Sequence, residues 1–261
     1  MATAHSSSTA WRARPAQGAT GLTLAALVCA GWITLHVAGM VLVPVRWATL
    51  PLVLAMAAVQ CWLSVGLFIV AHDAMHGSLA PGRPRLNAAI GATLLFLYAG
   101  FAWARMRDAH FEHHRAPGSR DDPDFDADHP SDGLRWYATF LSRYFGWPSG
   151  LYVCTVVTAY WLLGVPLLNI LLLYGLPAIA SSVQLFYFGT YRPHRHDETV
   201  FDDTHNARSE GWGSWLSLVT CFHFGYHHEH HLDPAVPWWR LPAARRARAT
   251  PSPGRLEEAA T

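Results

Sequence analysis

Charged residues are absent from long stretches of this chain, and this constrains its fold more than any other feature. No Asp, Glu, Lys or Arg occurs in residues 15–45, 47–72, 86–104 or 144–191. A helix needs about 20 apolar residues to cross a bilayer core about 30 Å thick, and the last stretch is long enough to cross twice. Charged residues make up 14% of the chain, against about 25% in a typical soluble domain. The pattern predicts an integral membrane protein.

The charge gaps predict an all-α architecture with about four transmembrane helices, over residues 21–43, 50–71, 150–164 and 167–190. The last two separate at "GVP" (residues 164–166), because glycine and proline interrupt helices. The apolar stretch 86–103 is short for a crossing and favours a re-entrant or interfacial segment. A short aromatic-rich segment, 211–222, is interpreted as interfacial. We expect one membrane-embedded domain over 21–240, a cytoplasmic tail over 1–20 and a disordered tail over 241–261.

The arginines predict the orientation, because cytoplasmic loops are enriched in basic residues. Only Arg46 falls in a loop on the far side of the membrane. We therefore expect both termini and the histidine-rich segments to face the cytoplasm. The formal net charge of +1, without a basic patch among aromatic residues, indicates no nucleic-acid partner.

Three histidine motifs lie on that cytoplasmic side. They are "HDAMHG" (His72, His76), "HFEHH" (His110, His113, His114) and "HHEHH" (His227, His230, His231). Residues at i, i+3 and i+4 share one helix face. Two HxxHH sets therefore predict two metal ions, each reached by both short helices. His5, His36, His129 and His205 fit neither set and are interpreted as incidental or surface residues.

Zinc is the main alternative to iron. A structural zinc uses four ligands, usually including cysteine, and the HExxH pattern of zinc proteases is absent. Eight or more histidines exceed what one zinc can use. Two irons with positions open for dioxygen fit the count better.

The flanking residues carry a family resemblance. The stretches "AHDAMHGSLAPGRPRLN", "HFEHHRAPGSRDDPDF", "FGTYRPHRH" and "CFHFGYHHEHHLDP" resemble bacterial β-carotene ketolases, within the membrane-bound non-haem di-iron family of desaturases, hydroxylases and ketolases. The likeness extends from about Gly21 to Trp239. It implies two Fe²⁺ ions, with these ligands: His72, His76, His110, His113, His114, His194, His227, His230 and His231. His196 is the second match to the histidine expected after the fourth span, and His223 and His228 are further candidates.

Four acidic residues near the motifs are candidates for supporting those ligands: Asp73, Asp121, Asp122 and Asp124. Metal-bound histidines commonly donate their second N–H to a carboxylate. A solvated acidic loop at 121–124 is an equally open interpretation. Aromatic residues that could line a substrate passage, or form an ordinary interfacial belt, are Phe96, Tyr98, Phe101, Trp103, Tyr187 and Phe188.

The resemblance implies a carotenoid 4-ketolase in the bacterial cytoplasmic membrane, which converts β-carotene to echinenone and canthaxanthin with O₂. Action on zeaxanthin to give astaxanthin stays open. No dinucleotide, flavin or haem motif is present, so a ferredoxin-type donor and its reductase are expected to supply electrons. A ring hydroxylase or fatty-acid desaturase on the same scaffold is the nearest rival. A metal transporter is disfavoured because the spans lack internal histidines or carboxylates apart from His36.

Overall fold

The computed structural model describes residues 16–197 and 200–249, and the regular structure within them is helical. The helices are α1 (Gln17–Val41), α2 (Trp47–Met75), α3 (Pro84–Ala99), α4 (Trp103–Arg115), α5 (Gly133–Tyr144), α6 (Trp147–Leu162), α7 (Leu167–His194), α8 (Ser214–Cys221), α9 (His227–Leu232) and α10 (Leu241–Ala249). The predicted all-α membrane architecture is confirmed.

Three of the described helices, α1, α2 and α7, are long and apolar enough to cross a membrane. The pair α3 and α4 would add a fourth if its two bent halves count as one span. Helix α6 has 16 residues, which corresponds to about 24 Å and falls short of a full bilayer core. Large apolar side chains of α6, among them Leu151 and Trp161, are nevertheless exposed. Their exposure indicates contact with lipid.

The bend between α3 and α4 matches the re-entrant segment predicted for residues 86–103. The two helices meet at 99°, and Gly100 caps α3 with φ of 67°. A Cβ atom at this position would lie 2.7 Å from Tyr152. Glycine is therefore required both for the left-handed backbone and for the close approach of α6. The bend directs α4, which carries "HFEHH", across the end of the bundle.

The ends of the bundle away from the histidines are joined by one side chain. Asn169, at the start of α7, donates from Nδ2 to the carbonyl oxygens of Gly39 and Val43, each at 2.7 Å. The two carbonyls lie at and just beyond the C-terminal end of α1. The hydrogen bonds therefore join the α1–α2 connection to the α6–α7 connection. As a result, α2 and α7 run in the same direction, and their histidine-bearing C-terminal ends meet at the opposite end.

Helix α7 contains two π-helical turns, Leu171–Gly175 and Tyr187–Tyr191. Each π turn adds one residue to a helical turn, and such turns are frequent at functional sites. The second one lies directly before His194.

The predicted boundaries agree with the structure at the break between α6 and α7, but two helices were missed. Helix α5 lies in the polar region between "HFEHH" and α6, and Asp132 caps its N-terminus by accepting from the backbone N–H groups of Leu134 and Arg135. The expected disordered tail begins with helix α10. Residues 1–15 and 250–261, which make up most of the two predicted tails, lie outside the described residues.

Candidate metal centre

The three histidine motifs converge into two adjacent clusters. We call them the five-histidine cluster (His72, His76, His110, His114, His230) and the four-histidine cluster (His113, His194, His227, His231); within each, the candidate ligand nitrogens lie within 4.8 Å of one another. Each HxxHH set divides between the two clusters. The structure thus brings together the residues predicted from sequence, and each cluster is reached by both α4 and α9.

The nitrogen spacing within the clusters fits metal binding. His76 and His110 approach to 2.7 Å between their Nε2 atoms, and His114 and His230 to 3.0 Å. In the four-histidine cluster the corresponding Nε2 separations are 2.9 to 3.2 Å. Two imidazole nitrogens about 2.1 Å from one ion, as in zinc–histidine bonds, lie about 3.0 Å apart at a right angle and about 3.4 Å apart in a tetrahedron. The spacing is short enough for several imidazoles of each cluster to bind one ion.

Unpaired nitrogens give a second test of the fit. Both ring nitrogens of His72 are buried and have no hydrogen-bond partner among the described residues, although its ring lies 4.4 to 4.8 Å from those of His76, His110 and His230. Burying an imidazole without a partner is costly. A metal ion at the centre of the cluster would satisfy one of the two nitrogens.

Burial keeps the imidazoles of α9 in the neutral form that metals bind. Desolvation, together with the neighbouring imidazoles, holds the pKa of His227, His230 and His231 well below the usual histidine value. A neutral imidazole offers a lone pair without first losing a proton. The donor set therefore suits a borderline transition metal.

Two histidines of the four-histidine cluster are oriented by hydrogen bonds from their second nitrogen. His113 donates from Nδ1 to Asp122 at 2.9 Å, and His194 donates from Nδ1 to the carbonyl of Asn206 at 2.7 Å. Both bonds leave Nε2 directed into the cluster. The backbone N–H groups of Gly118 and Asp124 also donate to Asp122, each at 2.8 Å, so the carboxylate is itself fixed.

The four predicted supporting carboxylates differ in what they contact. Burial alone would raise the pKa of Asp122, but the hydrogen bonds from His113 and two backbone N–H groups hold it below its usual value. Asp124 lies 3.9 Å from Nδ1 of His113 and accepts from the hydroxyl of Tyr144; burial raises its pKa to about 6. Asp73 lies 3.7 Å from Nδ1 of His72 and accepts from the backbone N–H of Trp238. Asp121 is exposed and contacts neither cluster.

The three further candidate histidines belong to neither cluster. His223 precedes α9 in a turn where Phe222 and His223 both have positive φ, so it does not continue the helical stripe, and its ring packs beside Tyr226 and Trp238. His196 packs against Phe125 and Phe201. His228 faces away from both clusters and binds Asp203.

A cavity of about 580 Å³ connects the clusters to the outer surface of the bundle. Its wall includes His72 and His110 of one cluster and His113 and His227 of the other. Its wall also includes apolar side chains that are exposed at the surface: Leu141, Phe145 and Ile179. Of the aromatic residues predicted to line a passage, Tyr98 and Phe101 do so; Phe96, Trp103, Tyr187 and Phe188 do not. The prediction missed Tyr137, Phe140 and Tyr144, which α5 contributes.

Comparison with known proteins identifies the family. The fatty acid desaturase family matches residues 46–164 and 143–257. A β-carotene ketolase from Paracoccus sp. (strain PC1) is 52% identical over 87% of this chain and 91% of its own length. A second, from Paracoccus sp. (strain N81106 / MBIC 01143), is 50% identical over 87% and 93%. The chain belongs to the β-carotene ketolases of the fatty acid desaturase family. The family also includes a zeaxanthin 4-ketolase from Chlamydomonas reinhardtii, 37% identical over 87% of this chain and 53% of its own length.

Proposed function

We propose that this family member is a carotenoid 4-ketolase that oxidises the C4 methylene of a β-ionone ring to a ketone. β-Carotene would give echinenone and then canthaxanthin. The observation that carries the proposal is the apolar cavity whose wall includes both surface-exposed residues and histidines of both clusters.

The proposed iron ligands are the nine histidines of the two clusters. Iron bound there would activate dioxygen with electrons from outside, for two successive hydroxylations at one carbon followed by loss of water. The protein's own contribution is positioning. Phe101, Phe140 and Leu185 give the cavity an apolar wall that suits a hydrocarbon ring and excludes water, and holding the reacting carbon in place accounts for much of a catalytic rate.

A lipid-dissolved substrate explains the position of the cavity. Its opening lies between α5, α6 and α7, where Leu141, Val153 and Ile179 line it. Ile179 is 66% exposed on a helix long enough to cross the membrane. A carotenoid could therefore slide in from the hydrocarbon without passing through water.

The charged surface of the protein indicates its orientation in the membrane and the kind of electron donor that it binds. The histidine clusters and α10, which carries Arg245, Arg246 and Arg248, lie at the end of the bundle opposite the far-side loop with Arg46. By the enrichment of basic residues in cytoplasmic segments, this end faces the cytoplasm, in the bacterial inner membrane. A basic surface suits an acidic ferredoxin-type donor, which would be reduced by its own reductase.

The deciding experiment is expression in bacteria that make β-carotene, followed by chromatography of the pigments. Echinenone and canthaxanthin are the expected products. Ring-hydroxylated carotenoids would favour the hydroxylase alternative, and unsaturated lipids with unchanged pigment would favour a desaturase. Unchanged β-carotene and lipids, with the protein present at two irons per chain, would overturn the proposal.

A separate measurement tests the electron donor. Turnover by the purified enzyme should require ferredoxin and its reductase in addition to NADPH. Full turnover with NADPH alone would contradict the proposed donor without affecting the proposed product.

A further inference from the structure

A third group of metal-binding side chains lies outside the two clusters. Asp203 and His205 belong to the segment between α7 and α8, and His228 belongs to α9. Asp203 lies 3.0 Å from Nδ1 of His205 through Oδ1 and 2.9 Å from Nε2 of His228 through Oδ2. One ligand atom from each residue lies within 4.8 Å of the others. We propose that these three side chains bind a third divalent cation, a borderline ion such as Zn²⁺.

The residue types suit such an ion. Open zinc sites commonly have three protein ligands and leave the remaining position to water, and two imidazoles with one carboxylate are a donor set for borderline divalent metals. The three side chains are partly exposed: the exposed fraction is 34% for Asp203 and 17% for His228. Water can therefore complete the coordination.

A comparison within the protein separates this group from an ordinary hydrogen-bonded acid. Asp126 also contacts a histidine, His129, but its carboxylate accepts from the Thr139 hydroxyl and from two backbone N–H groups. These donors come with a single imidazole, and the two backbone N–H groups cannot act as metal ligands. Asp203 instead receives imidazoles from two different elements and one backbone N–H, that of His205. Replacing the two imidazole protons by one cation would keep all three side chains together.

The position of the site gives the cation a structural role beside the four-histidine cluster. Next to His205 in sequence, Asn206 accepts from His194 of the four-histidine cluster through its carbonyl and donates to the carbonyl of Pro117 from its side chain. The ring of His205 lies 6.3 Å from that of His231. A cation bridging Asp203 and His205 to His228 would fasten this segment to α9. It would thereby hold the wall of the four-histidine cluster without entering it.

The test is a metal count on the iron-loaded full chain in detergent. The protein is equilibrated with Zn²⁺, desalted and analysed for zinc and iron in the same sample. The wild type should retain one zinc per chain with its iron unchanged, and zinc should raise its thermal midpoint. His205→Ala and His228→Ala should each lose that zinc and the stabilisation, while the iron content stays the same. Asp203→Asn, which keeps the size of the side chain, should weaken zinc binding at least tenfold.

His129→Ala is the matched control, because it removes an imidazole from the Asp126 pair and should retain the zinc. The proposal fails if the wild type retains no zinc, if zinc enters only as iron is lost, or if both histidine variants retain it. Should an alanine variant fail to fold, Asp203→Asn decides by itself. Iron content and ketone formation report separately on the ketolase proposal, so the two can fail independently.

Discussion

The five-histidine and four-histidine clusters use the same side chain but are supported differently. In the four-histidine cluster, His113 is held by Asp122 and His194 by the carbonyl of Asn206. In the five-histidine cluster, Asp73 lies beyond hydrogen-bond distance of His72, whose two ring nitrogens have no partner among the described residues. Hydrogen bonds to the second nitrogen fix the tautomer and raise the basicity of a ligand. The smaller cluster therefore has two oriented histidines, His113 and His194, while Nδ1 of His227 and of His231 has no partner among the described residues; the larger cluster has one histidine more.

The largest effect is expected from removing a ligand of the smaller cluster. His113→Ala leaves three imidazoles there and removes the one held by Asp122, whereas His76→Ala leaves four in the other cluster. His113→Ala should lower ketone formation more than about 100-fold, beyond the loss typical of a supporting residue, and should lower iron from two to one per chain. His76→Ala should retain more iron. Iron analysis and pigment chromatography measure both. Equal iron loss in the two variants would contradict the difference between the clusters.

Asp122→Asn tests orientation alone. The amide would leave Nδ1 of His113 with a weaker acceptor, and activity or metal affinity should fall about 10- to 100-fold. Asp126→Asn, in the same loop but in contact with Thr139 and His129, is the control and should retain its iron. If both variants behave like the wild type, the hydrogen bond to His113 does not support the cluster.

A bulkier side chain at the mouth of the cavity tests access to both clusters. Ile179→Trp should slow ketone formation about tenfold, because a larger side chain at the mouth would hinder the positioning of the substrate, while leaving two irons in place. Val183→Trp is the control, because Val183 is also exposed on α7 but does not line the cavity. An equal loss in both would point to a general effect on the helix. No loss in either would place the route of the substrate elsewhere.

Tyr144→Phe should lower turnover less. The change should be confined to the four-histidine cluster, since Asp124 lies beside His113. It removes the hydroxyl that donates to Asp124 but keeps the aromatic wall of the cavity. Loss of one hydrogen bond costs about 1 kcal/mol, so a roughly fivefold decrease in turnover with unchanged iron is expected. Steady-state turnover in detergent measures it; a loss of iron would show instead that Tyr144 maintains the metal centre itself.

Acidity should affect the two clusters differently. Burial alone would lower the pKa of His113, but the hydrogen bond to Asp122 raises it above its usual value, so protons should reach the four-histidine cluster first. The pKa of His230, in one cluster, and of His227 and His231, in the other, is lowered by burial. A base with a lowered pKa takes up a proton only at lower pH, so protons compete with the metal only in acid. Iron in the five-histidine cluster should be retained from about pH 8 to about pH 6, and any loss in this range should be confined to one of the two irons. Release of both irons with a midpoint near the ordinary histidine pKa would show that the sites open to solvent.

Sequence reasoning located the histidines because helical spacing is a local property. The i, i+3, i+4 pattern was enough to predict that α4 and α9 would each serve two ions, and the separation of α6 and α7 followed from Gly164 and Pro166. The division of ligands between the clusters depends on how α4 crosses α9, which no local pattern encodes. His223 was proposed as part of the helical stripe, but the positive φ of Phe222 and His223 turns it away.

The cavity was harder to predict than the metal centre. Helix α5 supplies Tyr137, Phe140 and Tyr144, yet its segment mixes polar and apolar residues and sits among charged loops. Only its packing against α7 shows that the aromatic face points inward. His205 was interpreted as a surface residue for the same reason, since its neighbour His228 lies on a distant helix.

The π turn Tyr187–Tyr191 sets the direction of His194 through a single residue. Because an α-helix has 3.6 residues per turn, deleting one residue there would rotate His194 by about 100° around the axis of α7. The imidazole would leave His227, which it approaches to 2.9 Å, while the part of α7 before the turn would keep its packing. Length changes of one residue at this turn therefore act as a rotation of one ligand, and alignments of relatives should treat a gap there as a change in the metal site.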